Sequence, residues 1–303
     1  MINFKKKYKI IDGIYSFEIS SLSTNLVKDF YYDKPFPSYS IDDNKYSISE
    51  KGNTNFLSKN FKKLIGHNKN VLEVGSGTCQ LSLYLSIGSN NNIFALDGAL
   101  NSLILGRKFA DQNNINNVYF INADLFDDIF PDNFFDFIWC SGVLHHTKNP
   151  YDGFVKLVKN LKKNGIILVG LYNRFGRIRT IFRKYFYKML GKKFIFLFDP
   201  YLRKLKKESN KNLEKINAWI SDQYEHPIES LHTYKECIEW FDKNNIEFIN
   251  SIPNLDDDLS EDFDLFVKKV KPNIISRFFL QFMMPFSSYG SEGGLFIMIG
   301  RKK

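Results

Sequence analysis

The sequence predicts an α/β fold in which a parallel sheet is covered by helices on both faces. Two observations carry the prediction. From residue 70 to residue 171, short apolar runs alternate with stretches of helical period, and connections of that length lay successive strands parallel. The first run also delivers the chain into a glycine turn, Gly75 and Gly77, that opens a helix N-terminus. With 44% hydrophobic and 25% charged residues among 303, the chain is neither collagen-like, disulfide-stapled nor wholly disordered.

In order along the chain, residues 1–52 read as irregular or short extended pieces, with a Pro-punctuated aromatic stretch, FYYDKPFPSY, at 30–39. Helical period appears over 54–66, in Phe56, Leu57, Phe61, Leu64 and Ile65, and Gly66 closes it. Strands are expected at 70–74, 93–97, 118–121, 135–140 and 166–171. Between them lie helices through Leu81 to Leu85, Leu103 to Phe109, and 150–161. Past 173 the alternation stops, and 174–231 reads as helical, basic and aromatic. A helix opens near Thr233, and strands at 246–252 and 295–300 flank an excursion, 253–293, with an acid cluster at 256–264. The implied organisation is an N-terminal arm or lid (1–52), a cofactor-binding core (53–173), a basic aromatic helical insertion (174–231), and a C-terminal part of the core sheet (232–303) carrying the 253–293 insertion.

Charge is uneven. The chain has 42 Lys and Arg against 33 Asp and Glu, yet residues 173–215 alone hold 14 cations and 3 acids, which is a statement about partners more than fold. Cys79, Cys140 and Cys237 are odd in number and far apart, without C-x-x-C spacing. They suit a reducing, cytoplasmic compartment and argue against a metal site. The N-terminus has a basic start but no apolar core, so no signal peptide is expected. The longest apolar runs, 194–198 and 278–286, fall short of the roughly 20 residues a spanning helix needs.

The informative segment is VLEVGSGTCQLS, 71–82. Gly75 supplies the tight turn and Gly77 lets a ligand approach the main chain. A dinucleotide site would want G-x-G-x-x-G, but here Gly75 and Gly77 are followed by Gln80. The acid Glu73 precedes them, unwelcome beside a pyrophosphate and favourable beside a cation. A nicotinamide-dependent oxidoreductase is disfavoured on both counts. Asp97 ends the second strand, 22 residues after Gly75, where a carboxylate accepts ribose hydroxyls. Asp124 follows the third strand and is placed either for an adenine amine or as a cap. The fourth strand ends in WCSGVLHHTKNP, 139–150, where a parallel sheet opens its crevice.

Taken in order, E-x-G-x-G at 73–77, Asp97, A-D-L at 123–125 and V-L-H-H at 143–146 resemble the class I S-adenosylmethionine-dependent methyltransferases. The resemblance is closest to the bacterial branch that includes quinone-ring methyltransferases, and it covers residues 54–172. The last two strands also fit, because that fold sets its seventh strand antiparallel beside the fifth. The resemblance implies a Rossmann-like seven-stranded methyltransferase sheet with helices on both faces, here with helical insertions. It further implies S-adenosyl-L-methionine as cofactor and methyl transfer to a small-molecule or lipid-like acceptor. The cofactor contacts it implies are Glu73, Gly75, Ser76, Gly77 and Gln80 from the first turn, Asp97 and Gly98 after the second strand, Ala123, Asp124 and Leu125 after the third, and Cys140 and Ser141 after the fourth. The chain departs from the family at Cys79, where a third glycine is common. A cysteine there is expected to narrow the methionine side of the pocket.

His145 and His146 are the catalytic candidates. Adjacent histidines on a regular element cannot both face one pocket, and the resemblance gives the structural place to His146. That leaves His145 facing the acceptor, where a neutral imidazole takes a proton from a hydroxyl. Cys140 has no base spaced to activate it as a nucleophile. Tyr172 and Asn173 end the fifth strand at the rim. With Tyr32 and Tyr39 of the N-terminal arm they are the candidate acceptor contacts, capping and a surface strap being the plain alternatives. The segment 173–190 is a striped helix with Ile178, Ile181, Phe182, Tyr185, Phe186 and Met189 on one face and cations off it. It suits a lid, a membrane-surface helix, an RNA-binding face or a merely solvated face. A second apolar segment, 274–286, shifts the balance to a bulky acceptor presented at an anionic membrane surface, with the protein peripheral to the inner face of the membrane. The competing readings are a tRNA-modifying methyltransferase, with nucleic acid as partner, and a non-catalytic module in which Cys79 marks lost activity.

Overall fold

An Asp-Gly pair turns the first hairpin of the chain. Asp12 and Gly13 take φ of 49° and 75°, the left-handed conformation that a two-residue hairpin turn needs and that Asp-Gly accepts. They join β1 (Lys9–Ile11) to β2 (Ile14–Ser16). The computed structural model describes residues 2–19, 37, 39–40, 42–208, 213–254, 265–269, 271–287 and 293–303. The expected acid cluster and Tyr32 lie outside the described residues.

The remaining strands are β3 (Asn70–Val74), β4 (Asn92–Asp97), β5 (Val118–Asn122), β6 (Phe135–Ser141), β7 (Leu161–Tyr172), β8 (Ile246–Ile252) and β9 (Leu295–Lys302). They form one sheet in the order β1-β2-β5-β4-β3-β6-β7-β9-β8. β3 to β7 run parallel, while β9 is antiparallel to both β7 and β8. Among the described residues the sheet therefore has nine strands rather than seven. The two added strands are the hairpin, whose Tyr15 pairs in parallel with Ile121 at the β5 edge.

Neighbouring residues of each central strand serve opposite faces, the alternation a two-sided sheet imposes. Val71, Ile93 and Ala95 face α1 (Lys45–Thr54), α2 (Phe56–Ile65), α3 (Gln80–Ser86) and α4 (Leu100–Gln112) through Ile48, Phe61, Leu83 and Leu103. Leu72, Phe94 and Leu96 face α5 (Pro150–Asn160) and α10 (Tyr234–Lys243) through Phe154, Leu157 and Tyr234. Asn44 caps α1, accepting from the Tyr46 and Ser47 amides, and Pro150 starts α5. Each is a residue type suited to that position.

Among the described residues the basic insertion is four helices, α6 (Ile178–Leu190), α7 (Lys192–Phe198), α8 (Pro200–Glu208) and α9 (Leu213–Ile220), ending in a π-helical turn at Ser221–Glu225. It has its own small core of Ile195, Leu202, Leu205, Ile216, Ile220 and Tyr224. Buried Asp199 organises it. Its Oδ1 accepts from the Tyr201 and Leu202 amides and its Oδ2 from Trp219 Nε1 (2.9 Å) and Tyr224 OH (2.6 Å). The excursion before β9 contributes α11 (Ile274–Met283). No helix among the described residues is long and apolar enough to cross a membrane.

Candidate active site

A cavity of about 560 Å³ lies at the carboxyl ends of β3, β4, β6 and β7. Its floor is the 75–79 turn. Gly75 has φ +66°, and a Cβ on it would lie 2.3 Å from Val143 Cγ2, itself a lining residue. The Ser76 amide donates to Leu96 O at 3.0 Å, closing the turn on β4. Gly77 N then donates to Asp97 Oδ2 at 2.8 Å and Ala99 N to its Oδ1 at 2.7 Å. Asn122 Nδ2 holds the carbonyls of Asp97 and Gly98. Asp97 is thus fixed by main chain from both sides with lone pairs to spare.

Glu73 is buried rather than facing water. Its Oε2 accepts from the Ser82 amide at 2.8 Å and the Ser82 hydroxyl at 2.5 Å, tying strand β3 to helix α3. Burial pushes its carboxyl up to about 7, against the lowering effect of the Ser82 bonds. Burial raises Asp97 as well. Asp124 accepts from the Phe126 amide at 2.9 Å and so caps a turn while lining the cavity. With Asp222, the described lining holds four carboxylates and no Lys or Arg.

Gly75, Ser76, Gly77, Gln80, Gly98, Ala123, Leu125 and Ser141 all line this cavity beside Glu73, Asp97 and Asp124. Cys140 does not. Its side chain points into the core, where burial raises the thiol. Cys79 does not narrow the pocket either. It sits at φ 66°, fully buried, with Sγ 3.6 Å from Ser76 Oγ. Gly106 of α4 leaves it room, since a Cβ there would come 2.9 Å from that sulfur.

The two histidines are placed opposite to expectation. They lie on a 3₁₀ turn, Leu144–His146, where each residue rotates by about 120°. His146 lines the cavity. Its Nδ1 is 2.7 Å from Ile228 O; a carbonyl only accepts, so the proton sits on Nδ1 and the lone pair on Nε2. Its ring packs at 3.6 Å on that of His226. Burial lowers His146, and burial with His146 nearby takes His226 down to about 3. His145 is fully buried beneath, with neither ring nitrogen hydrogen-bonded among the described residues, and burial drives it well below its ordinary value.

Tyr172 lines the cavity and packs His145 at 3.9 Å, while the Arg177 guanidinium lies 3.6 Å from its ring centroid. Asn173 is not in the lining. Its Oδ1 accepts from the Phe175 and Gly176 amides and its Nδ2 donates to Gln281, so it caps the turn that leads into α6. Tyr39 is not in the lining either. Its hydroxyl donates to Thr78 O at 2.6 Å and its ring stacks on Phe109, strapping the turn from outside. Among the described residues of the arm, Pro37 reaches the cavity.

Sequence reasoning missed Trp219, Asp222 and Gln223, which line the cavity from the insertion. Gln223 Nε2 donates to Tyr172 OH (3.0 Å) and Asp222 Oδ2 (2.8 Å), and its Oε1 accepts from Arg177 Nη1 (2.5 Å). Buried Arg177 forks onto both carboxylate oxygens of Glu229. No motif marked this cluster. The one signal was the change of charge along the insertion: 216–231 holds three acids, Asp222 among them, and no Lys or Arg, after a basic stretch.

A family model described as a methyltransferase domain matches residues 72–169. The chain is 29% identical over 106 residues to a ubiquinone/menaquinone biosynthesis C-methyltransferase of Stutzerimonas stutzeri, covering 34% of this chain and 41% of that one. It is 30% identical over 135 residues to a ubiquinone biosynthesis O-methyltransferase of Glaesserella parasuis, covering 41% and 55%. The matched stretch thus spans about half or less of these relatives' length. The fold is shared with geranyl diphosphate C-methyltransferase from Streptomyces coelicolor at a TM-score of 0.51 and 11% identity, over 94% of this chain and all of that one. Residues 72–169 therefore match a methyltransferase domain, set in a fold shared with a methyltransferase of solved structure.

Proposed function

We propose that the chain transfers a methyl group from S-adenosylmethionine to a small, largely apolar acceptor held at the aromatic end of the cavity. The observation that carries this is the charge of the described lining: four carboxylates and no Lys or Arg. A buried carboxyl at about 7, Glu73, is held near protonation for want of a cation. The donor set fits a ligand with an ammonium and a sulfonium and rejects a pyrophosphate. When bound, the cofactor supplies an electrophilic methyl on positively charged sulfur.

The chain's own residues divide the remaining work. Asp97, pinned by two amides, takes the ribose hydroxyls, and Asp124 takes the base amine. Glu73 pairs with the cationic amino-acid end. His146, with its proton fixed on Nδ1, offers Nε2 to an acceptor hydroxyl, forming an N–H as the acceptor's O–H bond breaks. Tyr172 and Trp219 give the acceptor aromatic walls. Asp222 and Gln223 give it a polar end. The names of the two quinone-pathway relatives support an acceptor of that kind.

Titration calorimetry with S-adenosylmethionine, S-adenosylhomocysteine and NAD tests the cofactor half. Micromolar binding of both adenosyl ligands with NAD silent is expected; silence from both would overturn the reading. Radiolabelled methyl transfer into an organic extract then tests the acceptor class.

A further inference from the structure

Two helical segments outside the sheet keep their apolar faces in solvent. On α6, Phe182, Tyr185 and Met189 are about 60% exposed; on α11, Ile274 is 81% exposed and Phe279 is 60% exposed. More than half of the large apolar side chains that stand exposed among the described residues are on α6, α11 and the turn after α11. The segments meet. Arg179 Nη1 donates to Pro285 O at 3.1 Å, and the rings of Phe175 and Phe278 lie 6.1 Å apart. An apolar surface of this extent on a water-soluble fold marks a contact.

Charge selects the occupant. From Arg174 to Lys207 the chain has twelve Lys and Arg, of which Arg177 and Arg183 are buried, and one acid, Asp199, which is also buried and bonded to Trp219 and Tyr224. From Lys271 to Ser287 there are two cations and no acid. Pairing this face with a second copy of itself would set cation against cation. Apolar wedges framed by cations match anionic phospholipid headgroups above acyl chains. Position relates the surface to the cavity. Both helices are anchored at the end of β7, where Asn173 bonds Gln281 of α11 and Arg177 precedes α6, next to the lining residue Tyr172.

We propose that the face formed by α6 and α11 docks on an anionic lipid bilayer, bringing the aromatic end of the cavity to the membrane so that the acceptor is a lipid-dissolved molecule. The acceptor clause rests on the methyl-transfer reading; the docking does not. The test is flotation with vesicles of phosphatidylcholine alone and of phosphatidylcholine mixed with phosphatidylglycerol. The chain floats with the mixed vesicles at least about tenfold more than with the neutral ones, and less as salt rises. Phe182→Glu with Phe279→Glu leaves it at the bottom, with wild-type thermal unfolding and cofactor titration. Lys188→Glu with Lys192→Glu, which touches no apolar contact, weakens flotation in the same direction. A wild-type chain that stays at the bottom with mixed vesicles overturns the proposal, as does flotation that both variants keep. A dimer in light scattering that the Phe182→Glu and Phe279→Glu pair dissolves assigns the face to a second copy and also overturns it. A floating chain that binds neither adenosyl ligand leaves the docking standing and sinks the methyl-transfer reading instead.

Discussion

At the scale of the residue, Glu73 is the group whose chemistry is easiest to read out. Its folded carboxyl holds a proton up to about 7, where the unfolded chain would lose it near 4.5. The stability this confers on the unliganded protein is complete below the unfolded value and is lost as pH rises toward 7. A cationic ligand favours the carboxylate and releases the proton. Affinity for S-adenosylmethionine is therefore expected to rise between about pH 6 and 8. Glu73→Gln flattens that slope and costs about tenfold in affinity, or about 1.4 kcal/mol; calorimetry across pH reads both. His146→Asn is expected to lower the methyl-transfer rate about a hundredfold with the cofactor dissociation constant unchanged, which radiolabel assays and the same calorimetry separate.

At the scale of the element, two joints hold the cavity's halves. Gly75→Ala adds a Cβ 2.3 Å from Val143 Cγ2 at φ +66° and displaces the turn that carries Gly77 to Asp97. Cofactor binding is expected to vanish in calorimetry while the far-ultraviolet dichroism stays helical. Arg177 joins the start of α6 to the π-helical turn and to Gly293 O. Arg177→Met leaves the Glu229 carboxylate with Lys184 alone, 3.7 Å away, and a loss of about 3 kcal/mol in urea unfolding is expected. Arg177→Lys does not restore it, because an ammonium cannot fork onto both carboxylate oxygens. Elements were unequally legible. β8 falls at 246–252 as expected, because a dense apolar run bounded by polar residues has little other use. β1 and β2, at three residues each, are too short to show a period, although Asp12-Gly13 was a hairpin signal in plain view.

Across the whole molecule, acid stability depends on three buried imidazoles, His145, His146 and His226, all held below 6.5 by burial. The unfolded chain takes up protons that the folded chain refuses, so their stabilisation is present above pH 6.5 and lost as pH falls toward about 3, the value for His226. Glu73, between about 4.5 and 7, and Asp97, also raised by burial, work in the opposite sense, but they are two groups against three. The melting temperature is expected to drop by roughly 5 °C or more between pH 7 and pH 5, and His226→Phe should lessen the drop in a calorimetric scan.

What the sequence determined by itself is the part of the cavity built on the strand ends, the half proposed to hold the cofactor. Glu73, Gly75, Gly77, Asp97 and Asp124 lie at or just past the ends of β3, β4 and β5, and a parallel sheet carries its strand ends to one edge, so local spacing suffices to bring them together. Tertiary structure alone decided the other half, proposed to hold the acceptor. Which histidine faces the cavity depends on the Ile228 carbonyl and the Tyr172 ring, which come from distant parts of the chain. Trp219, Asp222 and Gln223 arrive only because the helices of the insertion pack around Asp199 and Arg177 pins the turn that follows. No periodicity records such contacts, because they are set by where separate elements come to rest against one another.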